Sequence, residues 1–321
     1  MKVFISLGRP FYEAYPQIID DIKNLGVEVS YLFEDFTANK QDLIKHIKDA
    51  DILINGVDQI DREIMDAAPR LKYILKYGTG VDNIDLEYAS EKGIIVTNAP
   101  GQNAASVAEF AVGLILAISR RIPEAHDLVR NYQWRFTMGN ELYGKRLGII
   151  GFGNIGQQIA QKVSGFDMEV VAFGSYKDAD AAKKWNVTYV DLDELMETSD
   201  YIVVSTSLKK STYHLLNNEK LQMMKKSAYL INIARGDIID EEALLSVLKR
   251  GNIKGAALDV FASEPTNSEL TQLSNVIPTP HIGGATEECL RRVGEITVEN
   301  IARFKKGEPL SNIVTAKELI K

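Results

Sequence analysis

Short apolar runs rich in β-branched residues recur along the whole chain, and segments of helical spacing separate them. Before residue 100 the runs lie at 3–6, 27–33, 51–54, 73–76 and 94–97, with helical stretches such as Ile18, Ile19, Ile22 and Leu25 between them. Strand and helix in alternation, joined by connections of this length, point to a parallel sheet with right-handed crossovers. The runs are apolar throughout, which fits strands buried on both faces.

The pattern breaks at Ala99-Pro100-Gly101-Gln102-Asn103, a turn-rich stretch followed by an apolar helix over 104–119 and a mixed, aromatic segment over 120–143. Alternation then resumes, with strands expected at 147–150, 169–173, 188–190, 201–205, 228–233, 255–259 and 276–278. A final helix over 287–305 and a tail over 308–314 follow the last strand. A chain of 321 residues accommodates two domains, so the expectation is an α/β protein with two doubly wound parallel sheets.

Charge and cysteine content remove several function classes. Asp and Glu number 44 against 37 Lys and Arg, a net charge of −7, and no basic run exceeds two residues. Nucleic-acid backbones need clustered cations, so no nucleic-acid partner is expected. Cys289 is the only cysteine, which leaves no intrachain disulfide and no Cys-rich metal site. The start turns polar too early for a signal peptide, and no run reaches the ~18–20 apolar residues of a membrane span. A cytoplasmic chain with no metal and no membrane partner is expected.

The sharpest motif is Gly151-Phe152-Gly153-Asn154-Ile155-Gly156, which follows the strand at 147–150 and opens a helix. The first glycine allows the tight turn, the second admits a pyrophosphate, and the third permits close helix–strand packing. The N–H groups of Asn154 and Ile155, at the helix N-terminus, then meet the phosphates. The motif reads as a nicotinamide dinucleotide site.

About 20 residues on, an NAD site usually places an acidic residue against the ribose hydroxyls. Here the second strand ends at Gly174, followed by Ser175-Tyr176-Lys177. Ser175 and Lys177 suit a 2′-phosphate, which favours NADP(H) over NAD(H). The plainer alternative makes Lys177 a surface lysine and gives the ribose to Asp178.

A dehydrogenase also needs a proton donor near its carbonyl. Of four histidines, His46 lies between lysines on an early helix, His126 falls in the mixed segment, and His214 reads as a helix entry. His281 follows Pro278-Thr279-Pro280 at the carboxyl end of a strand, where open α/β sheets bind ligands, and is taken as the donor. Arg235 and Glu264 close two neighbouring strands. An arginine fork suits a carboxylate, and a carboxylate beside His281 would favour the imidazolium. Spacing alone equally allows a turn arginine and a surface glutamate.

Four ordered motifs resemble the D-isomer-specific 2-hydroxyacid dehydrogenase family: the glycine motif, Asn232-Ile233-Ala234-Arg235-Gly236, Leu258-Asp259-Val260-Phe261-Ala262-Ser263-Glu264-Pro265, and Pro280-His281-Ile282-Gly283-Gly284. So does Gly78-Thr79-Gly80-Val81-Asp82-Asn83-Ile84-Asp85, while the first 70 residues agree in pattern only. The resemblance implies reversible hydride transfer between NAD(P) and a small 2-hydroxyacid or 2-ketoacid. It makes His281 the general acid–base, Glu264 its carboxylate, and Arg235 the substrate carboxylate's partner. Asp259 would meet the nicotinamide carboxamide, Ala234 and Ser207 the cofactor, and Thr79, Gly80 and Asn103 the substrate.

The resemblance also implies a flavodoxin-like substrate-binding lobe from 1–99 and 285–321 and a Rossmann dinucleotide-binding lobe over 100–284, hinged near 98–102 and 282–286. Such proteins are typically homodimers joined through the nucleotide lobe, which suits the aromatic Tyr132, Trp134 and Phe136. Within the family the chain looks most like D-3-phosphoglycerate dehydrogenases of a short form, in which serine feedback is not expected. Lys76 stands where those enzymes carry an arginine near the substrate phosphate, or else points a strand-end charge at water. Gly174, Ser205 and Ser207 depart from that pattern toward NADPH-dependent hydroxypyruvate or glyoxylate reductases. Corepressor-like relatives, which sense nucleotide rather than turn it over, form a second class.

Overall fold

Among the residues that the computed structural model describes, 1–35 and 37–315, twelve strands form two all-parallel sheets. The first unit, Met1–Asn103 with Ala285–Lys321, holds β1 (Lys2–Gly8), β2 (Glu28–Glu34), β3 (Ile52–Asn55), β4 (Tyr73–Lys76) and β5 (Ile95–Thr97). Their order is β2-β1-β3-β4-β5, a flavodoxin-like arrangement whose strand order reverses between β1 and β3.

The second unit, Ala104–Gly284, holds β6 (Arg146–Ile150), β7 (Glu169–Phe173), β8 (Val187–Tyr189), β9 (Tyr201–Val204), β10 (Tyr229–Asn232), β11 (Gly255–Leu258) and β12 (Val276–Pro278). Its order, β12-β11-β10-β9-β6-β7-β8, is doubly wound, with the switch point between β6 and β9. Each apolar run becomes a strand, displaced by two residues at most. Every residue of β3, β4, β9, β10 and β11 is buried, as coverage on both faces requires.

Several helices start where a short polar side chain satisfies a free N–H. Asp61 accepts from Ile64 N–H, Asp85 from Tyr88 N–H, Asp191 from Glu194 N–H and Asp240 from Ala243 N–H. The last helix, Glu287–Lys306, is capped by Thr286 and returns the chain to the first unit. Its Val293 and Ile301 share a buried core with Ile18, Ile22 and Tyr73. Beyond it, Val314 N–H donates to Val96 O at 2.8 Å.

One carboxylate pins the amino end of each sheet. Asp51 accepts Lys2 N–H at 2.7 Å and receives Arg70 on both oxygens. Asp200 accepts Arg146 N–H at 2.9 Å and Lys225 Nζ at 3.0 Å.

Two local expectations are corrected. The mixed segment contains a helix, Ile122–Arg130, which Arg121 at φ 53 detaches from Ala104–Ser119. His214 does not enter a helix: it sits in a turn at φ 47, stacked on Tyr213, and the next helix begins at Asn218. Among the described residues no helix is long and apolar enough to cross a membrane.

Candidate active site

The glycine turn joins β6 to the helix Asn154–Val163. Gly151 adopts φ +97, and a Cβ there would lie 2.6 Å from Thr206 N. A Cβ on Gly156 would lie 2.3 Å from Gly151 O, so only glycine lets helix and turn meet. Gly153 differs: a Cβ there would touch nothing within 4 Å, which leaves space above the turn. Gly153 also caps the helix without a side-chain bond, so the first-turn N–H groups, including those of Asn154 and Ile155, are offered outward. An open cradle beneath free helical N–H groups fits a pyrophosphate. Ser205 braces it from β9, its Oγ donating to Gly151 O at 2.7 Å.

At the end of β7, Gly174 tolerates a side chain: a Cβ there would lie 3.5 Å from Tyr176 O, an ordinary contact. Ser175 and Lys177 are exposed, and Lys177 Nζ lies 5.9 Å from the centre of the Tyr189 ring. Asp178 is committed to its own helix, accepting Ala181 N–H at 2.9 Å. Ser207 is exposed, and its carbonyl accepts from Thr212 Oγ1 at 2.7 Å.

Three strand ends of the second unit bring the ionisable residues together. His281, at φ +55, places Nδ1 2.7 Å from Glu264 Oε2. The other oxygen, Oε1, accepts Phe261 N–H at 3.0 Å. Burial pushes the Glu264 carboxyl up, but the hydrogen bond and charge of His281, the Phe261 N–H and Arg235 together hold it below the usual range. The imidazole is 40% exposed, and among the described residues its Nε2 has no protein partner. A ring held at one nitrogen and open at the other is built to exchange a proton.

Asp259 lies beneath this turn, 1% exposed. Its Oδ1 accepts from Thr279 Oγ1 at 2.7 Å and Ile282 N–H at 2.9 Å, and its Oδ2 from Gly283 N–H at 2.8 Å. The carboxylate thereby shapes the turn that carries His281. Arg235 is partly buried after β10, with Nη1 donating to Ala234 O at 2.7 Å. Asn232 and Ser205 stand out in the sequence only as parts of motifs; that their side chains hold these turns is visible only in the structure.

The first unit presents a second set of groups. Thr79 Oγ1 donates to Ala99 O and to Asn103 Oδ1, each at 3.2 Å, and Asn98 Nδ2 donates to Thr79 O at 2.6 Å. Among the described residues neither Thr79 N–H nor Gly80 N–H donates to a protein acceptor, and both residues are partly exposed. Two adjacent free amides suit an anion. Lys76 is buried and does not point at water. Among the described residues no group of three or more His, Cys, Asp or Glu is placed to hold a metal.

Comparison with known proteins agrees with this architecture. Residues 112–283 match the model for the D-isomer specific 2-hydroxyacid dehydrogenase, NAD binding domain. A glyoxylate reductase of Thermofilum pendens is 43% identical over 304 residues, 90% of this chain and 88% of that protein. A D-3-phosphoglycerate dehydrogenase of Methanocaldococcus jannaschii is 40% identical over 318 residues, 97% of this chain but 59% of the relative. The solved TT0316 protein from Thermus thermophilus superposes with a TM-score of 0.89 at 35% identity, covering 98% of this chain and all of that one. Glycine turn, strand-end cluster and matched sequence lead to one conclusion: the chain belongs to the D-isomer specific 2-hydroxyacid dehydrogenase family.

Proposed function

We propose that this protein interconverts a small 2-ketoacid and its D-2-hydroxyacid, with NADP(H) preferred, and that glyoxylate or hydroxypyruvate is the substrate. The contact that carries the reading is His281 Nδ1 to Glu264 Oε2 at 2.7 Å, beside the free Nε2. When bound, the nicotinamide supplies or accepts the hydride. His281 gives its proton to the carbonyl oxygen on reduction and takes it back on oxidation, while Glu264 stabilises the imidazolium. Arg235 pairs with the substrate carboxylate and polarises the carbonyl. Thr79 and Gly80 offer their amides to a carboxylate, and Asn103 orients Thr79. Asp259 holds the His281 turn through both carboxylate oxygens, and Oδ2, which accepts a single N–H among the described residues, is the oxygen that would meet the carboxamide.

The cofactor preference rests on what closes β7. No acidic residue stands at Gly174, Ser175 and Lys177 are exposed beside it, and Asp178, four residues on, caps the next helix with Oδ1. Initial rates with NADPH and NADH on glyoxylate, hydroxypyruvate, phosphohydroxypyruvate and pyruvate test both assignments. A higher kcat/KM with NADPH on the unphosphorylated acids is expected; a preference for NADH would remove Ser175 and Lys177 from their roles. Strong turnover of phosphohydroxypyruvate would favour the second reading, a D-3-phosphoglycerate dehydrogenase, which the 40% identical relative supports.

A homodimer completes the proposal. Tyr132, Trp134 and Phe136 on the second unit are 99%, 88% and 99% exposed, an apolar area that a second copy would cover. Light scattering should give twice the 35.7 kDa chain mass; a monomer would sink this assignment. We assign the enzyme to the cytoplasm, where its single buried thiol stays reduced.

A further inference from the structure

Lys76 ends β4 with only 9% of its surface exposed. Its Nζ donates to the carbonyl of Gly56, just past β3, and to Asn83 Oδ1 at 2.9 Å. Asn83 extends the same clamp: its Nδ2 donates to Asp58 O at 2.6 Å, and its carbonyl accepts Ile60 N–H at 2.8 Å. These bonds grip both ends of the segment 77–82, which contains Gly78 at φ +153 and the free amides of Thr79 and Gly80.

Asp58 lies beside the same clamp. The Asp58 carboxyl, 4% exposed, accepts Ser6 Oγ at 2.6 Å and Ala38 N–H at 2.7 Å; burial pushes it above its ordinary value, and these two bonds and the Lys76 cation offset that only in part. Turning Lys76 toward a phosphoryl group would strip Gly56 O and Asn83 Oδ1 of a buried donor. It would also leave Asp58 without its nearby cation.

We propose that Lys76 is a positioning residue: through Gly56 and Asn83 it fixes the backbone of 77–82, so that the Thr79 and Gly80 amides hold a ketoacid carboxylate, and Lys76 is thereby withheld from any phosphoryl group of the substrate. The substrate part rests on the ketoacid reading above. The clamp itself does not.

The test compares Lys76→Met, Asn83→Ala and their double variant with the wild type. Each single variant should raise KM for glyoxylate about tenfold while leaving KM for NADPH unchanged, because one carboxylate-gripping loop is loosened. The double variant should be no worse than the poorer single one, since both act through one clamp. Hydrogen exchange should quicken over 77–84 in both singles and stay at wild-type rates in β1 and β3. Loss of phosphohydroxypyruvate turnover alone in Lys76→Met, with KM for glyoxylate unchanged, would make Lys76 a phosphate ligand and overturn the proposal. Unchanged exchange over 77–84 would overturn it as well. If Lys76→Met fails to fold, Asn83→Ala carries the same two readouts. A wild type inert on every ketoacid would instead defeat the functional reading, and exchange would still decide the clamp.

Discussion

Asn232 grips the turn before Arg235 from both sides: its Oδ1 accepts Ala234 N–H at 3.1 Å and its Nδ2 donates to Arg235 O at 2.9 Å. The side chain is 1% exposed, so these bonds form away from water and set where the guanidinium starts. Asn232→Ala should therefore behave as a weakened Arg235. Steady-state kinetics should show kcat/KM for the ketoacid falling about 10- to 100-fold, equivalent to ~1.5–3 kcal/mol. The dissociation constant of NADPH should stay within about twofold; an equal loss of both would mean that the whole unit had loosened.

The His281–Glu264 pair predicts a direction on the pH axis. Glu264 lies below the usual carboxylate range: burial raises it, and His281, Phe261 N–H and Arg235 more than offset that. It is therefore ionised wherever the enzyme works, and its support of the imidazolium is lost only as pH falls through that lowered value. Glu264→Gln puts a neutral amide against His281 Nδ1, so the carboxylate and its ionisation are removed at every pH. Turnover in ketoacid reduction should fall about tenfold, and the acid limb that Glu264 sets in the wild type should be absent from the variant's pH profile. A limb that stays in place would detach Glu264 from the proton transfer.

Two glycines of one turn should fail differently. Gly156→Ala places a Cβ 2.3 Å from Gly151 O, a backbone atom that can only move with the turn. It should cost ~1–3 kcal/mol of stability, along with dinucleotide affinity. Gly153→Ala meets nothing within 4 Å and has φ −86, so thermal melting should match the wild type. Its methyl instead enters the space left for the pyrophosphate, and NADPH binding measured by fluorescence should weaken at least about tenfold. Unchanged NADPH affinity in Gly153→Ala would displace the pyrophosphate from this turn.

Acid should reveal the anchors at the amino ends of the sheets. Burial raises the Asp200 carboxyl, but Arg146 N–H and Lys225 bring it below its ordinary value. A depressed carboxylate stabilises the fold above its unfolded pKa and loses that stabilisation as pH drops through the folded value. Asp200→Asn should cost ~1–2 kcal/mol in urea unfolding at pH 7, with the gap to wild type closing below about pH 4. A gap that does not shrink as pH falls would assign the effect to packing instead.

The strands are legible in the sequence because parallel strands covered on both faces read as uninterrupted apolar runs. The glycine motif is legible because its spacing follows from local geometry: Gly151 turns the chain at φ +97, and Gly156 packs on Gly151 O within the same turn. Ile122–Arg130 is harder to see, since its break depends on Arg121 adopting a left-handed backbone, which arginine rarely does. Arg235, Glu264 and His281 come from the ends of separate strands, so spacing suggests each but cannot pair them. Lys76 shows the same limit more sharply. Its partners Gly56 and Asn83 lie 20 and 7 residues away and meet it only when β3 and β4 align, so a buried tie and a surface charge look alike in one dimension.

Asp51 and Asp200 tie each sheet at the edge opposite its chemistry. Because parallel strands bring their anchors to one rim and their ligand-bearing turns to the other, the reactive rim is relieved of holding the sheet together. Insertions, new side chains or a changed cofactor can be tried there at little cost to the architecture below. A family that addresses many hydroxyacids from one scaffold needs this division between a rim that endures and a rim that experiments.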